Sequence, residues 1–129
     1  MAETNLVSRV RPEERVEGDP TPGMVREQAV SVEGMWAGLV RTDAHMTSGW
    51  HHHGDYDTSI YVVTGALRME SGPDGDTVID AGPGDFLHVP KRAIHRESNP
   101  GDKESNLVVV RAGHGPPVIN VEAPASIEP

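Results

Sequence analysis

Residues 49–57 read Gly49-Trp50-His51-His52-His53-Gly54-Asp55-Tyr56-Asp57 (GWHHHGDYD) and set three of the chain's seven histidines side by side. The run is internal and flanked by strand-like sequence, so it is not a purification tag, which is normally terminal and longer. On a β-strand, successive side chains point to opposite faces, and residues two apart stand roughly 6.5 Å apart on one face. His51 and His53 therefore face one way and His52 the other. Two imidazoles at that spacing can converge on one ion at roughly 2.0–2.2 Å each. A pair is not yet a site, and a third ligand has to come from elsewhere.

Working outward, short β-like runs alternate with turn signals: MVREQAVSV, MWAGLVRT, TSIYVVTGALRME, TVIDAG, DFLHVP and NLVVVRAG. SGPDGD at residues 71–76 places Pro73, Asp74 and Gly75 in the turn positions of a hairpin. With 14 Gly, 11 Pro and no segment of helical period, the pattern predicts an all-β sandwich or barrel. Residues 1–23 are charged and rich in turn formers and read as an arm, disordered or docked on a partner. Residues 24–113 form the barrel. Residues 114–129 are a Pro-rich, extended tail.

Composition narrows the function. At 129 residues the chain suits one small domain. A net charge of −9 argues against nucleic acid or an anionic membrane surface as partner. There is no cysteine, which excludes disulfides, thiolate metal sites and thiol nucleophiles. No apolar run approaches the roughly 20 residues of a membrane helix, and the first residues lack the apolar core of a signal peptide, so a soluble, cytoplasmic protein is expected. No G-x-S-x-G elbow, P-loop or G-x-G-x-x-G appears, which leaves serine-hydrolase and nucleotide-binding readings without support.

The second informative stretch runs from Gly84 to Asn99, GDFLHVPKRAIHRESN. A turn leads into a short strand, Pro90 stops it, and His95 begins the next. Together with GWHHH and the later YVVTG, this stretch resembles the two motifs of the cupin superfamily. Gly84, Pro90, His95 and Asn99 match the second motif, G-x5-P-x-G-x2-H-x3-N, and His51, His53 and Gly65 match the first. The resemblance covers roughly residues 30–111. It implies a cupin-type double-stranded β-helix, a jelly-roll barrel, with His51, His53 and His95 holding one divalent transition metal ion (Fe, Mn, Ni, Cu or Zn). The fold alone does not fix the chemistry.

Two positions depart from the family pattern. Where cupins usually carry a Glu ligand, separated from the closing Gly65 by six residues, this chain has Thr58. Asp57 sits one residue earlier, where a regular strand points it away from the ion unless a bulge turns it inward. The preferred reading is a three-histidine site with Thr58 lining the pocket. Arg92 replaces the Gly of the second motif, which suggests an altered turn or a position of ordinary φ.

Other residues admit plain readings beside functional ones. His88 either lines the pocket, as an acid/base or fourth ligand, or stands on the outer face. His52 is expected in solvent or at a subunit contact, and His45 and His114 on the surface. Tyr61 and Phe86 either close the pocket or are core. Met24, Met35, Met46 and Met69 read as packing. Arg96 and Glu97 read as a charged rim, and Arg41, Arg68 and Arg111 as the solvated face of strands, one of them within possible reach of a substrate carboxylate.

The function expected from the resemblance is a metal-dependent, dioxygenase-like oxidoreductase acting on a small chelating substrate such as a dicarbonyl or enol, with His88 and Thr58 as candidate catalytic residues. A non-redox cyclase or isomerase and a small-molecule-binding cupin without catalysis are the alternatives. Small cupins commonly dimerise, so a homodimer is expected, with the arm covering a partner's sheet edge.

Overall fold

The computed structural model describes residues 5–18 and 21–124. After a short 3-10 turn at Pro12–Glu14, eleven strands follow: β1 (Val16–Glu17), β2 (Met24–Val32), β3 (Met35–Thr42), β4 (His51–His52), β5 (Asp55–Thr64), β6 (Leu67–Ser71), β7 (Thr77–Ala81), β8 (Phe86–Val89), β9 (His95–Ser98), β10 (Ser105–His114) and β11 (Ile119–Asn120). They form two antiparallel sheets, ordered β1-β2-β3-β10-β5-β8 and β11-β4-β9-β6-β7. The described residues contain no helix long and apolar enough to cross a membrane.

Alternation decides which side chains meet between the sheets. β10 turns Ser105, Leu107, Val109 and Arg111 inward and leaves the residues between them less buried. Antiparallel register sets Leu107 against Val62 and Val40, Val109 against Ile60, and Arg111 against Thr58. The interior is therefore graded. It is aliphatic around Val62, Leu67 and Leu107, each at most 1% exposed and each contributing about 1.5–3 kcal/mol by leaving water. It turns polar at the level of Thr58 and Arg111.

Two motif residues hold the frame. Gly65 has φ +87°, and a Cβ there would stand 2.5 Å from Ser105 Oγ, so the turn needs both the left-handed backbone and the missing side chain. Asn99 is 1% exposed. Its Nδ2 donates to the carbonyls of Thr42 and Lys103, at 3.3 and 2.8 Å, and its Oδ1 accepts from Gly101 N–H at 2.9 Å. One amide thus closes the loop that leads from β9 into β10.

Two expectations are corrected at this level, those for the arm and for Arg92. Part of the arm is ordered on its own chain, since β1 pairs with β2. In the tail, β11 pairs with β4, the strand of the histidine run. Arg92 is neither in an altered turn nor at an ordinary φ: it adopts φ +60°, the conformation a glycine would supply. Its backbone N–H donates to Gly54 O at 2.9 Å and its guanidinium pairs with Asp55, which ties the β8–β9 turn to the turn after the histidine run.

Candidate metal centre

The three histidines of the motifs converge. β4 and its extension carry His51 and His53, β9 carries His95, and register sets His51 directly opposite His95. Ring centroids lie 4.3 Å apart for His51 and His95, 5.0 Å for His53 and His95, and 5.2 Å for His51 and His53. One nitrogen from each ring falls within 4.8 Å of the other two, and all three residues are buried.

The second nitrogen of each ring fixes its tautomer. Nδ1 of His51 lies 3.0 Å from Gly49 O, Nδ1 of His53 2.7 Å from Pro117 O, and Nδ1 of His95 2.9 Å from Ala93 O. A carbonyl only accepts, so each Nδ1 carries a proton, and in the neutral ring the lone pair is left on Nε2. This is the carbonyl-backed arrangement of metal-ligating histidines. Nε2 of His95 is buried with no hydrogen-bond partner. Burial, then the neighbouring His95, pushes His53 down to about 3, and burial also lowers His95. Neutral imidazoles with convergent lone pairs are what a transition metal ion requires, and the residues fit one.

Around this cluster the strands place a second set of polar side chains. Thr58 is 1% exposed, and its Oγ1 has no hydrogen-bond partner. It lines an inner void of about 20 Å³ together with His53, Ile60, Glu97 and Arg111, room for about one water molecule. Arg26 and Arg111 line this void and also an open mouth of about 900 Å³, shared with Gln28, Trp36, Tyr56 and Asn120. The mouth has the size of a small-molecule site. Arg111 is 6% exposed, its guanidinium lies 4.7 Å from the Trp36 ring centroid, and its Nε has no acceptor. Burial, reinforced by Arg26, lowers its pKa.

Several sequence expectations change here. Asp57 points outward, where His88 Nε2 meets its Oδ1 at 2.9 Å, and the His88 side chain is 64% exposed. His88 stands opposite Ser59 on the outer face, so of its two readings the surface one describes its position. His52 does face away from the triad, but it lies buried rather than in solvent: β11 sets Ile119 against it, and its Nδ1 accepts from Gly54 N–H. Tyr61 and Phe86 stack on each other at 4.7 Å, with Phe86 71% exposed; the pair neither closes the pocket nor joins the core.

Of the arginines, Arg41 and Arg68 do hold the solvated positions expected of them, whereas Arg111 points inside. Met24, Met46 and Met69 pack in the core, and Met35 is exposed. Glu97, read as rim, is 6% exposed and shares the inward face of β9 with His95. The rule that separated His51 and His53 from His52 also separates His95 and Glu97 from Arg96, so the signal was present in the sequence.

A small two-sheet barrel in which neighbouring strands of one sheet turn three histidines inward defines the class. A family model described as a cupin domain matches residues 38–111, more than half of the chain. The protein belongs to the cupin family. No curated protein matches it in sequence. Similar solved structures include KdgF from Halomonas sp., 22% identical with a TM-score of 0.71 over 84% of this chain and 96% of that one. The polyketide cyclase RemF from Streptomyces resistomycificus is 20% identical, with a TM-score of 0.74 over 93% and 91%. An oxalate oxidase in complex with the substrate analogue glycolate is 20% identical, with a TM-score of 0.64 over 78% of this chain and 57% of that one. At these identities the likeness establishes the fold.

Proposed function

We propose that the protein is a metal-dependent cupin enzyme that oxidises a small, anionic, chelating substrate such as an enol or 1,3-dicarbonyl with dioxygen. The observation that carries the reading is the tautomer of the triad, in which three carbonyl-bound Nδ1–H groups leave three Nε2 lone pairs for one ion. A transition metal ion held there supplies Lewis acidity and, when redox-active, dioxygen chemistry. Arg111 supports an anionic substrate: its guanidinium is buried at the junction of mouth and void, and its Nε donor stays unused even with Glu97 lining the same void. Such a group is costly to bury unless something negative completes it. Trp36 supports the guanidinium from one side and so fixes its plane. Thr58 offers a hydroxyl beside His53.

The test is metal analysis of untagged protein, followed by oxygen uptake with a panel of chelating dicarbonyls. About one redox-active ion per chain is expected, lost on His51→Ala, with uptake that responds to substrate and a raised KM in Arg111→Met. Stoichiometric zinc without oxygen uptake would transfer the reading to non-redox cyclisation or isomerisation. A chain without stoichiometric metal, indifferent to His51→Ala, would sink both and leave a binding protein.

A further inference from the structure

We infer that Glu97 is the carboxylate ligand of this metal centre, delivered from β9 in place of the acidic residue that Thr58 replaces on β5. The inference rests on the three-histidine reading above and adds a fourth protein donor to it.

Three observations carry it. First, Glu97 is the only acidic side chain buried among the described residues, and a buried carboxylate requires a cation or donors to hold it. Its backbone is engaged with Ser48, whose Oγ accepts from Glu97 N–H at 3.0 Å and whose N–H donates to Glu97 O at 2.8 Å. These bonds fix the strand so that its side chain falls on the histidine face. Second, Oε1 of Glu97 lies 3.9 Å from Nε2 of His51. Two donors each about 2.1 Å from one ion stand roughly 3–4 Å apart for ordinary coordination angles, so this separation suits a shared ion. The three histidine nitrogens alone lie within 4.8 Å of one another, and engagement asks for rotation about the torsions of Glu97. Third, an imidazole ligand brings no charge to the ion, and Thr58 brings none either. A divalent ion in a buried site is stabilised by an anion, and Glu97 is placed to supply it.

The competing role for Glu97 is counter-ion to Arg111, with which it lines the same void. Cobalt(II) distinguishes the two, because its absorption intensity and band positions report the number and type of donors. Metal-stripped protein is titrated with Co²⁺ against a competing chelator, for the wild type and for Glu97→Gln, His53→Gln, Arg111→Met and the double variant Thr58→Glu/Glu97→Gln. Loss of an outer-sphere partner weakens metal sites roughly 10–100-fold, so loss of a direct ligand is expected to weaken binding by about 100-fold or more.

Glu97→Gln should show that loss together with a shifted Co²⁺ spectrum, while Arg111→Met keeps both the affinity and the spectrum. Thr58 also faces the void, so the double variant should recover affinity to within about tenfold of the wild type; a misfolded protein gives no such recovery. If Glu97→Gln binds Co²⁺ like the wild type with an unchanged spectrum, while His53→Gln does not bind, the inference is overturned and the three-histidine centre stands. If His53→Gln also binds normally, the centre itself is refuted.

Discussion

The buried, neutral state of His53 predicts how the metal-stripped protein responds to acid. Its imidazole is held at about 3 in the folded chain, chiefly by burial, against 6.5 when exposed. Between these values the unfolded chain binds the proton and the folded chain does not, so stability falls as pH falls through the window from about 6.5 to 3. It is fully retained above the upper limit. From pH 7 to pH 4.5 the loss assignable to His53 is roughly 2–3 kcal/mol, from the linkage relation with these two values. For a domain of this length that is a drop in Tm of roughly 8 °C.

The assay compares thermal melts of metal-stripped wild type and His53→Gln across this range. Gln keeps a polar side chain of similar reach without the titration. Carboxylates and His95 titrate in both proteins, so the difference between the curves isolates His53. The wild-type curve should fall more steeply, by roughly 2–3 kcal/mol over the interval. Parallel curves would refute the claim that His53 is buried in its neutral form.

Two further outcomes test the frame around the site. Asn99→Ala removes three hydrogen bonds and strands the buried carbonyl of Thr42; a loss of about 3 kcal/mol is expected in urea unfolding, and a loss below ~1 kcal/mol would mean the loop closes without it. Arg92 sits at φ +60°, so Arg92→Gly should be tolerated, whereas Arg92→Val should be less stable than Arg92→Gly by roughly 1–2 kcal/mol because a β-branched residue resists that backbone. Equal stability of the two variants would show that the turn relaxes.

What could be read from the sequence was whatever alternation and motif spacing govern. The inward pair His51 and His53, the outward Asp57, the inward Thr58 and the third histidine at 95 all follow from period two and the family pattern, because neighbouring strands enforce both. The misreadings share another cause. By composition Glu97 and Arg111 read as solvent-facing, because charged residues usually lie there, yet each occupies an inward register position, and here the register overrides composition. The burial of His52 depends on β11, nearly seventy residues on, and no local pattern announces that pairing. Arg92 shows that a family glycine can be lost while its backbone conformation stays, once hydrogen bonds on both sides of the turn hold it.

The bond from His53 Nδ1–H to Pro117 O spans 64 positions of the chain. It makes the segment beyond the barrel a participant in ligand orientation, beside the β11–β4 pairing that docks it. Reciprocity would then link two places that are distant in sequence and adjacent in space. Whatever seats itself on the Nε2 side of His53 tightens the docking of residues 117–120. Whatever peels those residues away releases the imidazole from its fixed plane. Occupancy at the centre and attachment of residues 117–120 would then be linked through this one hydrogen bond.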